Sequence, residues 1–380
     1  MIEQSKYKEL IEGKTSFFLD ANILLELYRV STATCISIME IIDFIRSDTW
    51  IPKQAYDEFL KNKDMERAKQ FNKYKNVKKD LQNCITGVDG DVRKRITQYK
   101  KYEYPKIDEF ENNYKEKIRE LKEIIENYLS NIDNEVQNNA LFLKSNDIEN
   151  FVNRFQNENR ILKGRDIVEK IEIIKEGKIR YEHLIPPGYK DIDKSGTSVY
   201  GDLFLWKEIL EYANGNDENV VFITNDEKED WWDIEKDILI GPRHELVEEF
   251  KHYNSKNEVI FLNLKNFFTL ASHYHNKVSF ASELELNAYD YIHTSILDKF
   301  DTEITEALMD FSTNNADYDS VLEYAYNDLE NDGIEYEYSS HELYFKEETG
   351  IAEYFITVDA MIYTSHSYED REGHSFTLVM

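Results

Sequence analysis

Residues 15–22 have the sequence TSFFLDAN, an apolar run that stops abruptly at Asp20. A short apolar run that ends in turn-forming residues is typical of a buried strand that meets a loop. Residues 220–224 repeat the pattern, because VVFIT is followed by Asn and then by Asp226. Both segments therefore predict buried strands that end next to an acidic side chain.

The segments around these two strands alternate between helix and strand patterns. Residues 23–30 and 33–46 have helical spacing, residues 49–52 predict a short strand, and a helix containing Glu58 follows. A further helix is predicted from about residue 200 to 213, and another strand over residues 259–262. Strands that alternate with helices favour a mostly parallel sheet covered on both faces.

A charged helical segment separates the two parts of this sheet domain. Residues 107–128 carry apolar side chains at three-to-four spacing, which predicts a helix with one apolar stripe. The stripe keeps no strict heptad, so a helical hairpin packed on the domain is favoured over an extended coiled coil. The sequence PPG at residues 186–188 then breaks the helical pattern. We therefore predict a helical insertion over residues 61–195 within a domain of residues 1–270.

The end of the chain has a different pattern. Helical spacing runs through about residues 284–329, and strands are predicted over residues 334–345, 351–363 and 375–380. Apolar and more polar positions alternate along the middle strand, which indicates an antiparallel sheet with one buried face. We predict that residues 275–380 form a separate acidic α+β domain, whose role the sequence does not identify.

The acidic charge is unevenly distributed. The formal net charge is −29, and residues 281–380 hold 24 acidic against 3 basic residues, a net of −21. Residues 61–101 have the opposite sign, with 13 basic against 5 acidic residues, and aromatic side chains lie among them. Such a segment fits either a solvated helical face or a contact with nucleic acid. The overall acidity therefore does not exclude a nucleic-acid partner.

Cysteine usage and hydropathy indicate the compartment. Cys35 and Cys84 are far apart and form no C-x-x-C pair, which fits a reducing compartment and excludes a zinc site built from cysteines. No apolar run approaches the roughly 18 residues of a membrane-spanning helix, and the first residues show no targeting pattern. We expect a soluble, cytoplasmic protein without a membrane partner.

Four acidic residues fall where a parallel sheet places its ligands. Asp20 and Asp226 follow predicted strands, and Glu58 and Asp202 lie near predicted helix starts. Ligands bind at the carboxyl ends of the strands in such sheets, so these side chains could form one pocket. Oxygen ligands suit Mg²⁺ or Mn²⁺, which keep several waters. Two ions about 4 Å apart would stabilise the attacking and leaving oxygens of a phosphodiester cleavage.

Each of these residues also has an ordinary explanation. An aspartate after a strand is often a turn residue or a helix cap, as Asp20 and Asp226 could be. Glu58 could be a solvated helix position, and Asp202 could cap its own helix. The functional interpretation therefore depends on the four positions taken together.

Taken together, these segments resemble the PIN-domain nucleases, and more closely a bacterial PIN-like family in which a long helical insertion splits the domain. The resemblance covers both ends of residues 15–265 but little of the insertion or the tail. The matching stretches are FFLDANILLELYR (17–29), WIPKQAYDEFLKNK (50–63), IPPGYKDIDK (185–194), YGDLFLWKEIL (200–210), VVFITNDEKEDWW (220–232) and GPRHELVEEF (241–250).

The resemblance implies a three-layer α/β/α fold, metal-dependent endonuclease chemistry and, most commonly, an RNA substrate. It matches Asp20 to the family's first-strand aspartate and Glu58 to its helix glutamate. It matches Asp202 to the third acid, and Asp226 to the aspartate of the Thr-x-Asp turn. The resemblance thus implies catalytic and metal-binding roles for these four residues.

Other residues near these acids are secondary candidates. Asp230 is either a fifth metal ligand or a helix-start carboxylate favoured by the helix dipole. Lys190, Lys194 and Lys228 are candidate phosphate contacts, although lysine is also the usual solvated residue of this chain.

Polar and aromatic neighbours also have two interpretations each. Asn22 either orients a metal-bound water or simply turns the chain. Tyr189 and Tyr200 either stack on bases or pack in the protein. Trp231 and Trp232 are interpreted as anchors, because indole offers no metal ligand.

The leading hypothesis is a Mg²⁺- or Mn²⁺-dependent endonuclease that cuts nucleic acid, with RNA favoured over DNA. The resemblance also suggests a bacterial defence or toxin system. The alternative is a non-catalytic PIN-like module that binds nucleic acid or protein and is regulated by its acidic C-terminal domain. Residues 275–380 could cover the basic segment as an autoinhibitor, form a homo-oligomer or recruit a regulatory protein.

Overall fold

The computed structural model divides the chain into two compact units, Met1–Val278 and Ser279–Met380. The described residues are 4–139, 146–235, 238–315, 329–346, 349–369 and 375–379. The helices of the first unit are α1 (Gln4–Glu12), α2 (Ala21–Glu26), α3 (Thr32–Phe44), α4 (Lys53–Lys101), α5 (Ile107–Asn139), α6 (Asp147–Asn157), α7 (Ile167–Glu182), α8 (Gly201–Gly215), α9 (His244–Tyr253) and α10 (Leu264–Tyr274). Its strands are β1 (Thr15–Leu19), β2 (Thr49–Trp50), β3 (Asn219–Ile223), β4 (Trp232–Glu235), β5 (Ile238–Pro242) and β6 (Val259–Leu262).

The first unit is organised around a parallel sheet with strand order β2-β1-β3-β6. Phe18 of β1 is in register with Trp50 of β2 on one side and with Phe222 of β3 on the other. Parallel pairing puts the carboxyl ends of all these strands at one edge of the sheet. The loops that follow β1 and β3 therefore lie side by side.

Helices cover both faces of this sheet. Successive strand residues point to opposite faces, and β1 shows this with two phenylalanines. The Phe17 ring lies 6.5 Å from that of Phe267 in α10, whereas the Phe18 ring lies 5.2 Å from that of Tyr212 in α8. The expected mixed α/β fold with a mostly parallel sheet is confirmed, and its layers are helix, sheet and helix.

The insertion contains two long antiparallel helices. α4 has 49 residues, which corresponds to roughly 73 Å at 1.5 Å per residue. Asp89 of α4 accepts hydrogen bonds from Lys122 of α5 at 2.6 Å and from Tyr114 at 3.2 Å. The apolar stripe of α5 is only partly buried, since Ile118 is 7% exposed but Leu121 is 43% exposed. Contacts with α4 therefore account for part of the stripe, and the packing of the hairpin on the sheet domain stays a prediction.

The long helices are also highly charged. Among the described residues, no helix combines the length and the hydropathy that a membrane crossing requires. The α4 sequence alternates lysines with acidic and amide residues along most of its length. Its length therefore serves to extend the hairpin rather than to provide an apolar segment.

The second unit combines short helices with an antiparallel sheet. Its helical segments are α11 (Phe280–Leu286), α12 (Ala288–Tyr291), a π-helical segment (Ile292–Leu297) and α13 (Asp301–Asn315). Its strands are β7 (Leu329–Lys346), β8 (Ile351–Glu369) and β9 (Ser375–Val379), in the order β7-β8-β9. The predicted helix over residues 316–328 and the predicted strand end at Met380 lie outside the described residues.

Candidate functional site

Asp20 lies directly after β1, at the carboxyl edge of the sheet. Its backbone N–H donates to the carbonyl oxygen of Ile223 at 3.1 Å, which extends the pairing of β1 with β3. Its Oδ1 accepts the backbone N–H of Ala21 at 2.6 Å and caps α2. The turn and cap interpretation is therefore correct for part of this side chain, but Oδ2 faces the neighbouring loop.

The loop after β3 holds Asp20 through a side-chain network. Thr224 Oγ1 donates to Asp20 Oδ2 at 2.7 Å, and Asn22 Nδ2 donates to the same oxygen at 2.7 Å. Thr224 Oγ1 also accepts the backbone N–H of Asp226 at 3.0 Å. Asn22 Oδ1 accepts the backbone N–H of Asn225 at 3.0 Å. Asn22 and the buried Thr224 thus fix the relative positions of the two strand-end aspartates.

The two tryptophans after Asp226 hold acidic residues of this cluster. Trp231 Nε1 donates to Asp202 Oδ2 at 3.3 Å, and Trp232 Nε1 donates to the carbonyl oxygen of Asp226 at 2.7 Å. Both indoles are nearly fully buried. The tryptophans therefore act as anchors, and each anchors a different acidic residue.

Glu58 enters the site from the second turn of α4. This helix starts after Pro52, whose side chain makes no capping hydrogen bond. Glu208 supplies the missing acceptor from α8, because its Oε2 accepts the backbone N–H of Gln54 at 3.2 Å. α8 also carries Asp202 in its first turn. Glu208 therefore ties the helix of Glu58 to the helix of Asp202.

The four predicted acids lie close enough to one another for their charges to interact. Burial raises the pKa of Asp20 to about 7, and the Thr224 hydrogen bond opposes this rise while the charges of Glu58 and Asp226 add to it. Burial also raises the pKa of Asp202 well above its usual value, with further contributions from neighbouring aspartates that include Asp226 and Asp20. The structure thus brings Asp20, Glu58, Asp202 and Asp226 into one electrostatic cluster.

Asp191 is a further member of the cluster, and the sequence pattern did not predict it as a site residue. Its side chain is buried, and its Oδ1 accepts Lys228 Nζ at 2.8 Å while Oδ2 accepts Lys194 Nζ. Burial opposes ionisation, but these two lysines hold the pKa of Asp191 below its usual value. The only signal was its place in the stretch IPPGYKDIDK, which carries part of the family resemblance.

Asp230 supports the loop that carries Asp191. Its Oδ2 accepts the backbone N–H groups of Gly188 and Lys190 at 3.0 and 3.1 Å. Its Oδ1 is buried without a hydrogen-bond partner among the described residues. Gly188 has φ +92°, and a Cβ there would lie 3.1 Å from Cβ of Asp202, so the loop passes very close to that acid. One oxygen of Asp230 thus positions the loop.

The three predicted phosphate-binding lysines all pair with carboxylates. Lys228 Nζ lies 3.0 Å from Asp226 Oδ2 in addition to its contact with Asp191. Lys190 Nζ lies 2.6 Å from Glu229 Oε1, and Lys194 pairs with Asp191. Lys194 and Lys228 therefore offset acids of the cluster, whereas Lys190 offsets Glu229.

The donor set has the chemistry of a site for a hard divalent cation. Carboxylate oxygens dominate it, and hard cations prefer such ligands. In the described part of the chain, no three His, Cys, Asp or Glu side chains converge tightly enough to hold one ion together. Mg²⁺ commonly binds through one or two carboxylates, with water and substrate phosphate completing its shell. The raised pKa of the half-buried Asp20 and Asp202 carboxyls also fits groups that a cation would stabilise.

The parallel sheet with acidic residues gathered at its strand ends defines a nuclease-type fold. The family described as "PIN like domain" matches residues 16–246. The chain therefore belongs to the PIN-like domain family, whose PIN domains are typically nucleases and generally use divalent metals. Comparison with curated proteins and with solved structures finds no match.

Proposed function

We propose that the first unit is a divalent-metal-dependent endonuclease that hydrolyses the phosphodiester backbone of nucleic acid, with RNA favoured over DNA. One observation carries the proposal. Asp20, Glu58, Asp202 and Asp226 come from four separate segments, yet their charges interact at one edge of the sheet. A fold does not require such repulsion, which costs stability unless a bound cation offsets it.

The proposed roles follow from the contacts of each residue. Asp20, Asp202 and Asp226 would hold Mg²⁺ or Mn²⁺, and Glu58 would complete the cluster from α4. The bound ion would supply a nucleophilic water near neutral pH and stabilise charge on the phosphate. Thr224 and Asn22 keep Asp20 oriented through the hydrogen bonds that they donate. Asp230 would be a fifth ligand through Oδ1, which has no hydrogen-bond partner among the described residues, while Oδ2 holds the loop.

One observation favours the non-catalytic alternative. Within the described residues, the acids do not form a ready cluster of three metal ligands, and Lys228 lies between Asp226 and Asp191. A protein that only binds nucleic acid would need no metal at all. The two functions differ in turnover, which a metal titration can measure.

The test compares the purified wild type with Asp20→Asn and Asp226→Asn at stoichiometric enzyme. RNA and DNA oligonucleotides are incubated over a range of Mn²⁺ concentrations, and product is measured together with Mn²⁺ binding by calorimetry. We expect Mn²⁺-dependent cleavage of RNA by the wild type, and loss of both cleavage and tight Mn²⁺ binding in the variants. Undiminished cleavage by both variants, or no product with any oligonucleotide, would reject the enzymatic proposal.

The wider biological role is proposed from the resemblance of the sequence to bacterial PIN-like proteins. We propose a cytoplasmic enzyme of a defence or toxin system. The acidic residues 275–380 would then provide regulation, through a protein partner or through a second copy of the chain. Size-exclusion chromatography with light scattering on the full chain and on a chain ending at Val278 would test the homo-oligomer.

A further inference from the structure

A cleft of about 630 Å³ adjoins the acidic cluster. Glu58 and Asp202 line it, so it begins at the proposed catalytic site. One wall is the first part of α4, and the other contains residues of α7 and of the loop before α8. A ligand in this cleft would therefore lie against the reacting phosphate.

The α4 wall is a polar stripe at helical spacing. Gln54, Asp57, Glu58, Lys61 and Asn62 all line the cleft, and their spacing places them on one face of the helix. A helix face that packs into a core at this spacing is normally apolar. This stripe instead presents amides and charges to an open cleft, which is the composition of a surface that binds a polar ligand.

The opposite wall provides hydrogen-bond donors. Ser195, Thr197 and Ser198 line it with three hydroxyl groups beside Asp193 and Lys194, and Lys170 projects from α7. Lys170 Nζ lies 5.7 Å from the centroid of the Phe204 ring. Hydroxyls, amides and lysines are the groups that proteins use to contact phosphate oxygens and sugars.

Two lysines of the cleft differ from the lysines of the catalytic cluster. Neither Lys61 nor Lys170 forms a salt bridge with any carboxylate of the described residues, although Asp57 and Glu58 lie on the same stripe as Lys61. The cluster lysines, by contrast, are all paired. In a chain with 75 acidic and 46 basic residues, two cations that face a cleft without a carboxylate partner among the described residues are available for an anionic ligand.

The cleft offers no platform for stacking bases. Among the described residues that line it, Phe204 is the one aromatic side chain, and it is only 3% exposed. Proteins that hold bases of single strands use exposed aromatic faces for that purpose. The side chains of this cleft are therefore suited to contact the sugar-phosphate backbone of a nucleic-acid strand rather than its bases.

We propose that this cleft is a subsite for the sugar-phosphate backbone next to the scissile bond, with Lys61 and Lys170 as its phosphate contacts. Binding there is independent of base identity, since phosphate contacts position a strand without reading its sequence. The inference rests on the proposed nuclease function and assigns its substrate contacts to the start of α4 and to the insertion helix α7. Neither lysine belongs to the acidic cluster.

The first test measures the salt dependence of binding. Fluorescein-labelled RNA and DNA oligonucleotides are titrated with the full chain carrying Asp20→Asn, with and without Lys61→Ala or Lys170→Ala. Each lysine change should weaken binding and reduce the slope of log K against log salt by about 0.7 to 0.9, the value for one lost phosphate contact. Lys175→Ala is the matched control on α7, because Lys175 pairs with Glu172 at 2.7 Å outside the cleft. The control should leave the slope unchanged.

The second test separates backbone from base recognition. An abasic oligonucleotide of the same length should bind within about threefold of the normal one, because stacking contributes little here. The same lysine changes should weaken both ligands equally. The subsite would be overturned if Lys61→Ala and Lys170→Ala left the salt-dependence slope unchanged. A large loss of affinity for the abasic oligonucleotide would overturn it as well. If the wild type still cleaves RNA in that case, the nuclease function stands and this inference alone fails.

Discussion

The carboxyl group of Asp20 connects stability to pH. Its pKa in the folded chain is about 7, against a usual value of 3.8. The folded state therefore holds this proton over a range in which the unfolded chain has lost it, and stability falls as pH rises through that range. For the metal-free protein we predict that this group lowers the free energy of unfolding by ~1–2 kcal/mol as the pH rises from the lower to the higher of these two pKa values, allowing for solvent screening.

Thermal unfolding in the presence of a chelator at several pH values measures this effect. Asp20→Asn should flatten the decline and should melt at or above the wild-type temperature near pH 8. Asp48→Asn, at an exposed position, serves as the control and should follow the wild type. Identical pH slopes for Asp20→Asn and the wild type would contradict the prediction.

Thr224 provides a second prediction at the residue scale. Its hydroxyl joins Asp20 and the backbone of Asp226 at 2.7 and 3.0 Å. Thr224→Val keeps the shape of the side chain but removes the hydroxyl. The Asp20 carboxylate and the backbone N–H of Asp226 each lose a hydrogen-bond partner, which should lower the free energy of unfolding by roughly 1–3 kcal/mol. We expect kcat and Mn²⁺ affinity to fall about 10- to 100-fold, and Thr224→Ser to retain most of both. Wild-type kinetics in Thr224→Val would show that this network does not position the acids.

The sequence predicted some residues of the site much better than others. Asp20 and Asp226 follow strands whose apolar runs are visible, so their common edge could be predicted from parallel pairing alone. Asp191 could not, because its burial depends on the path of a loop that Asp230 holds from 40 residues away. The partners of Lys228 likewise depend on that loop, so its pairing with Asp191 has no local signal.

At the scale of elements, the predicted start of the insertion at about residue 61 does not coincide with the end of a helix or strand. The predicted boundary at residue 61 falls inside α4, which is one continuous helix from Lys53 to Lys101. The helix therefore joins the catalytic edge directly to the hairpin. The β4–β5 hairpin was also not predicted, since its strands are short and one of them begins within the Trp-Trp pair.

Glu208 provides the prediction at this scale. It is 4% exposed, and burial raises its pKa to about 7, although the backbone N–H groups of Gln54 and Lys53 favour the charged form. Glu208→Leu leaves the start of α4 without this acceptor and should lower the free energy of unfolding by ~1–2 kcal/mol. Glu208→Gln keeps an acceptor oxygen and should restore most of the stability.

Hydrogen exchange distinguishes this capping role from general destabilisation. The Gln54 amide should lose protection selectively in Glu208→Leu and regain it in Glu208→Gln. The kcat should be lower in Glu208→Leu and restored in Glu208→Gln, because Glu58 lies one turn beyond the start of α4 that Glu208 caps. Uniform loss of protection over the whole unit would contradict a local role for Glu208.

At the scale of the whole molecule, the two units differ strongly in net charge. Residues 279–380 carry a net charge of −21 out of −29. Such a charge repels nucleic acid over distances set by the Debye length. The core of the first unit, by contrast, is built from its own side chains, which include the buried Phe17, Phe18 and Phe222.

A chain that ends at Val278 should therefore unfold cooperatively. We predict that it binds RNA up to about 10-fold faster than the full chain at low salt, because long-range repulsion is removed. The two rates should converge in about 1 M salt, where the Debye length is about 3 Å. Stopped-flow binding at several salt concentrations measures this. A difference that persists at high salt would instead support direct coverage of the binding surface, as the autoinhibition hypothesis requires.

The central claim is that the acids at the strand ends perform metal-dependent cleavage. The most direct measurement is sequencing of cut ends after total RNA is incubated with purified wild type or Asp20→Asn and increasing Mn²⁺. The account predicts internal cuts that increase with Mn²⁺ in the wild type and are at least about 100-fold rarer in Asp20→Asn, as expected for the loss of several kcal/mol of transition-state stabilisation. Equal cutting by the two proteins, or wild-type cutting that is independent of Mn²⁺, would contradict it.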